Sequence, residues 1–177
     1  YFMKEDALAF LGLIVAALVL MPRNAGAATG GALAALSYLG QNGLPRGMRN
    51  NNPGNIRINS TAWQGKIPVN QNTDKSFEQF QTYAYGVRAM IKNLLTYYKR
   101  DGLTTIHGII SKWAPASEND TAAYVQKVSR STGFGPNQKI NLESIATMRS
   151  LVLAMTAVEN GRAAVTPELF NYAWNLI

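Results

Sequence analysis

The sequence predicts a mainly α-helical domain with one small β excursion, preceded by an apolar helical anchor at the N-terminus. Three observations support this fold class. Beyond residue 80, apolar residues recur at helical spacing in one segment after another. Residues that cap helices stand before most of these segments. The stretch from residue 51 to residue 80 is instead divided by Gly, Pro and Asn, which is typical of short strands and loops.

The first predicted region, residues 1–45, contains the anchor and a connector rich in Gly and Ala. Residues 7–21 form an unbroken apolar run of 15 residues, which is short because a bilayer span usually needs about 20. A secretory signal is the alternative, and Ala25-Gly26-Ala27 resembles its cleavage site. The run follows Lys4-Glu5-Asp6, which is net negative, whereas a signal has a basic start. We therefore expect a retained anchor that contacts a membrane or other subunits through residues 7–40.

The second predicted region, residues 46–177, is a globular domain built mainly from helices. Its apolar residues supply the core, since hydrophobic residues make up 47% of the chain. The expected helices cover residues 84–100, 104–113, 121–131, 141–160 and 166–177. Four of them begin at recognisable caps, namely Thr104, Asp120 or Thr121, Asn141, and Thr166 with Pro167.

The composition narrows the possible functions. With 17 Lys and Arg against 10 Asp and Glu, the net charge is +7, which favours an anionic partner such as nucleic acid, an acidic membrane surface or a cell-wall polymer. The chain has no cysteine, which excludes disulfides and thiol catalysis. The single histidine, His107, has no second ligand near it, so we expect a structural or surface role and no Ser-His-Asp chemistry. No basic helix, RNA-binding signature or zinc spacing is present, so we expect no specific nucleic-acid partner.

Glu159 stands at the end of an otherwise apolar helix, in the stretch LVLAMTAVENGRAA of residues 151–164. At helical spacing it shares a stripe with four apolar residues, Ile145, Met148, Val152 and Met155. Its carboxyl is therefore expected on the core-facing side, where burial and the helix dipole both raise the pKa of a carboxyl. A protonated carboxyl is what a general acid needs in order to donate to a glycosidic oxygen. The alternative is an acid that bonds to a neighbouring amide or reaches solvent as the helix ends.

The other acidic residues have simpler explanations. Glu143 and Glu168 are expected in the first turns of their helices, where the dipole favours negative charge. Glu118 lies in the polar loop APASEND that leads into a helix. Asp74 and Glu78, in the β-like segment, remain as possible second carboxylates.

Several short motifs of the domain resemble the lysozyme-like cell-wall hydrolases of bacteria, in particular the glucosaminidase and flagellar muramidase branch. The motifs are AVENG, NNPGNIR, WQG, FEQF and WAPASENDTAAY. In that branch the helix that ends in the catalytic Glu precedes the Asn-rich loop, whereas here it comes at the C-terminus. The chain therefore resembles a circular permutation of the family. Residues 46–161 also resemble phage virion proteins of the lytic transglycosylase type. These resemblances imply a lysozyme-like fold with Glu159 as its catalytic acid.

The resemblance implies four substrate-binding residues. Asn55 and Ile56 match the loop that lies along the sugar cleft beside the catalytic Glu. Trp63 matches the Trp of Trp-x-Gly, and Tyr124 matches a tyrosine of the cleft. Core packing is an equal alternative for Trp63, and it is the favoured interpretation for Trp113.

The resemblance also bears on a second carboxylate. Asp74 lies near the position where hydrolytic members place one, so it is the expected second catalytic residue. Glu118 is the alternative to Glu159 as the acid, because it lies next to a matched stretch. Its loop offers no apolar wall, so we rank it second.

One strong carboxyl candidate favours a particular reaction. Cleavage of a β-1,4 glycan requires an acid on the leaving oxygen, and a hydrolase also needs a base or nucleophile on the other face. A lytic transglycosylase manages with one carboxyl, because the 6-hydroxyl of the sugar attacks. We therefore expect a peptidoglycan lytic transglycosylase of a phage virion, which acts on the host periplasm and cell wall without metal or organic cofactor. The alternatives are a bacterial membrane-anchored muramidase or glucosaminidase, and a non-catalytic virion structural or wall-binding protein with the same fold.

Overall fold

A computed structural model describes residues 26–177 of the chain. The expected anchor at residues 7–21 lies outside the described residues. The chain divides into two units, Tyr1–Ala32 and Leu33–Ile177. The described residues form seven helices: α1 Gly26–Ala35, α2 Arg46–Arg49, α3 Tyr83–Lys99, α4 Ile106–Trp113, α5 Thr121–Thr132, α6 Ile145–Asn160 and α7 Pro167–Trp174. None of these helices has both the length and the apolar character that a bilayer span requires.

The mainly α-helical prediction is confirmed, whereas the β excursion is reduced to isolated contacts. Between residues 26 and 177 there are no strands, only single antiparallel bridges such as Arg57 with Phe77 and Lys66 with Phe80. The reason is that side-chain amides take over bonds that a ladder would make. Asn52 donates to the carbonyls of Ile56 and Glu78 and accepts from the Ile56 amide, all within 3.0 Å. The segment is thus an ordered loop.

Helix α3 lies at the centre of the second unit and packs against α4, α6 and α7. Its inward face, formed by Val87, Met90, Ile91 and Leu94, is fully buried. Each such side chain contributes roughly 1.5–3 kcal/mol when it is removed from water. Helix α6 packs on α5, and α4 also packs on α5, so the three helices that follow α3 meet around a common core.

Two of the predicted helix starts are confirmed. The Asp120 side chain accepts from the Ala123 amide at 3.0 Å and caps α5. Thr166 caps α7 through the Leu169 amide, and Pro167 occupies the first turn. These bonds satisfy amides that have no partner within the helix.

Two other helices begin later than predicted. Helix α4 is capped by Thr105 rather than Thr104. Helix α6 begins at Ile145 with Ser144 as its cap, so the prediction that it begins at Asn141 is wrong. The Asn141 side chain instead accepts from the Glu143 amide at 2.9 Å, which holds a turn before the helix. Glu143 therefore precedes the helix and does not lie in its first turn.

The segment before α2 belongs to the second unit, which begins at Leu33. The Leu36 carbonyl accepts from the Tyr83 amide at 2.8 Å. The Tyr38 amide donates to the Asn51 side chain at 2.8 Å, and the Tyr38 ring packs edge-on against that of Tyr83. These contacts attach residues 36–38 to the start of α3 and to the Asn-rich loop, residues 50–57.

Candidate active site

Glu159 lies in the last turn of α6, and Gly161, which follows the helix, has the left-handed conformation. On the side of the helix that leads to it, Met148, Val152 and Met155 are fully buried. Ile145, at the other end of the same stripe, is 42% exposed because it begins the helix. Glu159 itself is half-buried, so its carboxyl lies where the apolar face of α6 meets open space.

Three neutral side chains donate hydrogen bonds to the Glu159 carboxyl. Tyr124 Oη donates to Oε1 at 2.8 Å, and Trp113 Nε1 donates to the same oxygen at 3.0 Å. Asn55 Nδ2 donates to Oε2 at 2.9 Å. The three donors approach from α5, α4 and the Asn-rich loop, so the carboxyl is held from three separate elements.

The donors are placed by the local structure of their own segments. Tyr124 follows the Asp120 cap by one helical turn and faces α6, whose Met155 carbonyl also lies 3.3 Å from its hydroxyl. Trp113 is the last residue of α4. Asn55 has a φ of +49°, in the left-handed region that asparagine tolerates better than most residues.

Tyr124 keeps its proton and therefore acts as a donor. Burial raises the pKa of its hydroxyl well above the ordinary value, and the charge of Glu159 and their hydrogen bond raise it further. A phenol with a raised pKa stays protonated at neutral pH. The Tyr124 hydroxyl thus fixes Glu159 Oε1 as an acceptor.

The Asn-rich loop is closely packed into the fold. Asn50, Asn51 and Asn52 are almost fully buried. A Cβ atom on Gly86 of α3 would lie 1.8 Å from the Asn51 carbonyl oxygen, so the loop backbone packs directly on that helix. The loop therefore presents Asn55 to Glu159 from a fixed base.

Glu159 opens into a cleft with a volume of about 820 Å³. One wall is the loop from Gly54 to Asn59 together with Phe77, and the other is the segment from Lys112 to Asn119. Asn93 and Tyr97 of α3 close one side. The lining combines aromatic rings, side-chain amides and charged groups, which suits a polar ligand with flat apolar faces such as a sugar chain.

The structure brings two of the predicted substrate-binding residues, Asn55 and Tyr124, to the Glu159 carboxyl. Ile56 borders the cleft, but it is only 6% exposed and belongs to the core. Trp63 is not among the cleft residues and packs partly against the core. The next turn is held by Gly65, where a Cβ would lie 2.1 Å from the Tyr85 ring. Packing on Tyr85 therefore decides the course of the Trp-x-Gly motif.

Asp74 lies outside the cleft and does not join Glu159. Its carboxyl accepts two bonds from the Arg46 guanidinium at 2.7 and 2.8 Å and one from Asn50 at 2.7 Å. Burial acts to raise the pKa of Asp74, but the bonds from Arg46, Asn50 and the Phe77 amide hold it well below its usual range. A carboxylate bound this way is fully charged and has no free oxygen directed at a ligand.

Glu118 does line the cleft, although we ranked it second to Glu159 as the catalytic acid from the sequence. It forms an exposed ion pair with Arg57 of the opposite wall. Glu78, the other possible second carboxylate, is fully buried and paired with Lys66 at 2.7 Å. Among the described carboxylates, Glu118 and Glu159 are thus the two that border the cleft.

Sequence reasoning missed Trp113 as a site residue. Its position beside the buried Ile109 and Ile110 favours core packing, yet its indole N–H reaches Glu159. The available indication was its place at the start of WAPASENDTAAY, the same motif that contains Tyr124. Arg57, which ends the motif NNPGNIR, and Tyr97 also line the cleft, and neither was assigned a role from the sequence.

Comparison with known proteins gives a relative with a clear match. No protein-family model matches the chain. Over 123 residues the chain is 42% identical to Protein P5 of Pseudoalteromonas phage PM2, and the match covers 68% of this chain and 74% of that protein. At this identity and coverage, the chain belongs to the family of Protein P5 of Pseudoalteromonas phage PM2.

Proposed function

We propose that this chain is a phage virion-associated, peptidoglycan-degrading enzyme of the lysozyme-like type. It cleaves the β-1,4 glycan strand as a lytic transglycosylase when the phage enters its host cell. One observation carries the proposal: a half-buried carboxyl, Glu159, is held by three neutral donors at the edge of an open cleft. The relationship to Protein P5 of Pseudoalteromonas phage PM2 supports the phage setting.

The two oxygens of Glu159 have different surroundings, which assigns them different tasks. Oε1 accepts from both Tyr124 and Trp113, so it is occupied. Oε2 accepts only from Asn55 and is the oxygen that carries the reacting proton. That proton passes to the glycosidic oxygen as the bond to C1 of the muramic acid breaks. The 6-hydroxyl of the same sugar then bonds to C1 and returns its proton to Glu159, which leaves a 1,6-anhydro end.

The surroundings of the other carboxylates support a reaction with a single carboxyl. Asp74 lies outside the cleft and is bound by Arg46. Glu118 lies in the cleft, but its charge is paired with Arg57. A transglycosylase needs neither of them, because the substrate supplies the nucleophile.

A hydrolase is the second candidate, and one observation favours it. Glu118 shares the cleft with Glu159 and could serve as the base or nucleophile once Arg57 is displaced. In that case water attacks and the products have reducing ends. The two reactions differ in their products, which makes them separable.

The cleft suits a glycan ligand on chemical grounds. Tyr97 and Trp113 offer aromatic rings, and Asn59 and Asn93 offer amide donors and acceptors. Sugars bind through such combinations because their C–H faces pack on rings while their hydroxyls bond to amides. Residues 7–40 would place this cleft near its substrate by contact with a membrane or other virion subunits, and we propose no metal or organic cofactor.

The test is a comparison of the full 177-residue wild-type chain with Glu159→Gln on purified peptidoglycan. Released muropeptides are identified by mass spectrometry. We expect anhydro-muramic products from the wild type and a loss of at least about 100-fold in Glu159→Gln, which is the usual contribution of a general acid. Glu143→Gln is the matched control, because Glu143 is exposed and paired with Lys99 away from the cleft.

The products separate the remaining possibilities. Reducing-end products from the wild type would move the protein to the hydrolases and direct attention to Glu118. Equal activity of wild type and Glu159→Gln would contradict the role of Glu159. Binding to the wall without cleavage by either protein would indicate a non-catalytic virion structural or wall-binding protein.

A further inference from the structure

Gly47, in the short helix α2, lies directly against two side-chain amides of the site. A Cβ atom at this position would lie 2.6 Å from Asn160 Oδ1, 2.9 Å from Asn55 Oδ1 and 3.0 Å from the Asn52 carbonyl oxygen. Real Cβ atoms essentially never come within 3.0 Å of such atoms. The φ of Gly47 is not positive, so the need for glycine here comes from the lack of space and not from the backbone conformation.

The two amides are oriented so that their oxygens face Gly47. Asn55 Nδ2 donates to Glu159 Oε2 at 2.9 Å. Asn160 Nδ2 donates to the carbonyls of Pro53 and Thr156 at 2.9 and 2.8 Å. Both Oδ1 atoms are buried and accept no hydrogen bond. Rotating either amide by half a turn would direct its oxygen at another acceptor, so the observed orientation is the one with attractive contacts.

We infer that Gly47 is a positioning residue for Glu159, an inference that rests on the proposed function. Without a side chain at residue 47, the Asn55 amide can lie where it donates to Oε2, the oxygen that carries the reacting proton. The Asn160 amide cannot yield, because two backbone carbonyls hold it and it is only 7% exposed. Asn55 borders the open cleft, so a methyl group on residue 47 displaces Asn55 away from Glu159.

Helix α2 cannot relieve this contact by moving away. The Gly47 carbonyl accepts from the Asn52 amide at 2.8 Å, and Met48 is buried in the core. The adjacent Arg46 is held by Asp74. The 2.9 Å contact with Asn55 is therefore relieved by the Asn55 side chain, which is free to turn, whereas the 2.6 Å contact with Asn160 is relieved only at a cost in stability.

The test is Gly47→Ala in the full chain, with soluble glycan chains from peptidoglycan as substrate. We expect kcat to fall by about 10- to 100-fold with KM changed by less than about twofold, because the ligand's walls are intact and only the reacting group is misplaced. In ¹H–¹⁵N NMR spectra, the Asn55 side-chain amide resonances shift. Gly135→Ala is the matched control, since a Cβ there meets nothing nearer than 3.7 Å.

A double variant shows whether the effect passes through Asn55. Asn55→Ala removes the clashing oxygen that can turn and leaves Asn160 Oδ1 at 2.6 Å, so adding Gly47→Ala to it should lower stability but cost no more than about twofold in kcat. If Gly47→Ala alone does not fold, Gly47→Ala is placed in an Asn55→Ala/Asn160→Ala background that itself folds and lacks both clashing oxygens; recovery of folded protein supports the contacts, and no recovery overturns them. Unchanged kcat and unchanged Asn55 resonances in Gly47→Ala, or losses that add fully in the double variant, also overturn it. If the wild type is inactive but the Asn55 resonances shift in Gly47→Ala, the proposed function is contradicted. The inference that Gly47 positions the Glu159 carboxyl through Asn55 is then still supported.

Discussion

Two carboxylates of this protein, Asp74 and Glu159, are both held by several hydrogen-bond donors, yet their surroundings differ in charge and in access. Asp74 is bound by the Arg46 guanidinium and by Asn50, and its side chain is only 5% exposed. Glu159 is bound by a phenol, an indole and an amide, and it borders a cleft of about 820 Å³. The first carboxyl faces a cation, and the second faces neutral groups and open space.

Under the proposed function, this difference is the one expected between a structural carboxyl and a reactive one. A cation beside a carboxylate stabilises its charge, and it lowers the tendency of the group to accept a proton. Neutral donors fix the position of a carboxyl without placing a full positive charge beside it. The number of bonds to a carboxyl therefore says little about its role, whereas the charge of its partners and the access to its oxygens say more.

The first prediction concerns the neutral donors of Glu159. Tyr124→Phe removes the hydroxyl bonded to Oε1 and keeps the buried ring. We expect glycan-cleaving activity to fall by about 10- to 100-fold, because Oε1 then keeps only the bond from Trp113 and the carboxyl is less firmly held. The free energy of unfolding should change by no more than about 1–2 kcal/mol, the usual net value of one hydrogen bond. Initial rates and thermal unfolding measure the two effects.

Tyr98→Phe is the control for Tyr124→Phe. The Tyr98 hydroxyl makes one exposed bond to Asn141 and does not line the cleft. This control should keep wild-type activity. Wild-type activity in Tyr124→Phe would mean that the neutral donors do not distinguish Glu159 from Asp74.

The second prediction concerns the cation-bound carboxyl. Asp74→Asn should lower the free energy of unfolding at pH 7 by about 2 kcal/mol, because it weakens charged hydrogen bonds to a mostly buried group. The pKa of Asp74 is held below its usual range in the folded state. Its contribution is therefore complete above about pH 4, the ordinary value of the unfolded chain, and is lost as the pH falls through the folded pKa. The difference between wild type and variant should narrow below about pH 4, as measured by chemical denaturation across pH.

The activity of Asp74→Asn tests its predicted catalytic role. Any loss in glycan cleavage should stay below about tenfold, since loss of a general acid or base costs about 10²–10⁴-fold. Glu143→Gln is the control, because Glu143 also pairs with a cation, Lys99, but is exposed and lies away from the cleft. A loss of 100-fold or more in Asp74→Asn, with the stability of the wild type, would restore Asp74 as a second catalytic carboxyl.

The sequence predicted the helical character of the fold and the meeting of Glu159 with Asn55 and Tyr124. The helical character depends on local spacing and on caps. The contacts of Glu159 with Asn55 and Tyr124, which lie 104 and 35 residues away along the chain, were implied by the family resemblance and not by local pattern. Trp113 could not be assigned in this way. A tryptophan at the end of an apolar helix is typical of core packing, and the direction of its N–H depends on how α4 lies against α6. The role of Asp74 likewise depends on Arg46, which lies 28 residues earlier in the chain.

The β excursion and the start of α6 show a second limit. Both predictions used asparagine residues. An asparagine side chain can cap a helix or lie in a strand, but it can also bond to backbone groups a few residues away. Asn52 bonds to Ile56 and Glu78 in place of a ladder, and Asn141 closes a turn in place of a cap. Asparagine competes with regular structure through such local bonds, so its presence marks an irregular segment without specifying its path.

The last and smallest effect is expected at Glu118, a carboxylate that shares features of both regions. Like Asp74 it is paired with an arginine, and like Glu159 it lines the cleft. Because the Arg57 and Glu118 side chains are 64% and 52% exposed, their ion pair should contribute less than about 1 kcal/mol to stability. For a transglycosylase, Glu118→Gln should keep activity within about threefold of the wild type, since the glutamine can still accept a bond from Arg57.

Arg57→Gln serves as the partner variant, because it removes the pairing cation and leaves Glu118 charged. A loss of 100-fold or more in Glu118→Gln, with reducing-end products from the wild type, would make Glu118 the second carboxyl of a hydrolase. It would also show that pairing with a cation does not by itself exclude a carboxyl from catalysis. The exclusion would then require that the ligand cannot reach the pair, as at Asp74, which lies outside the cleft.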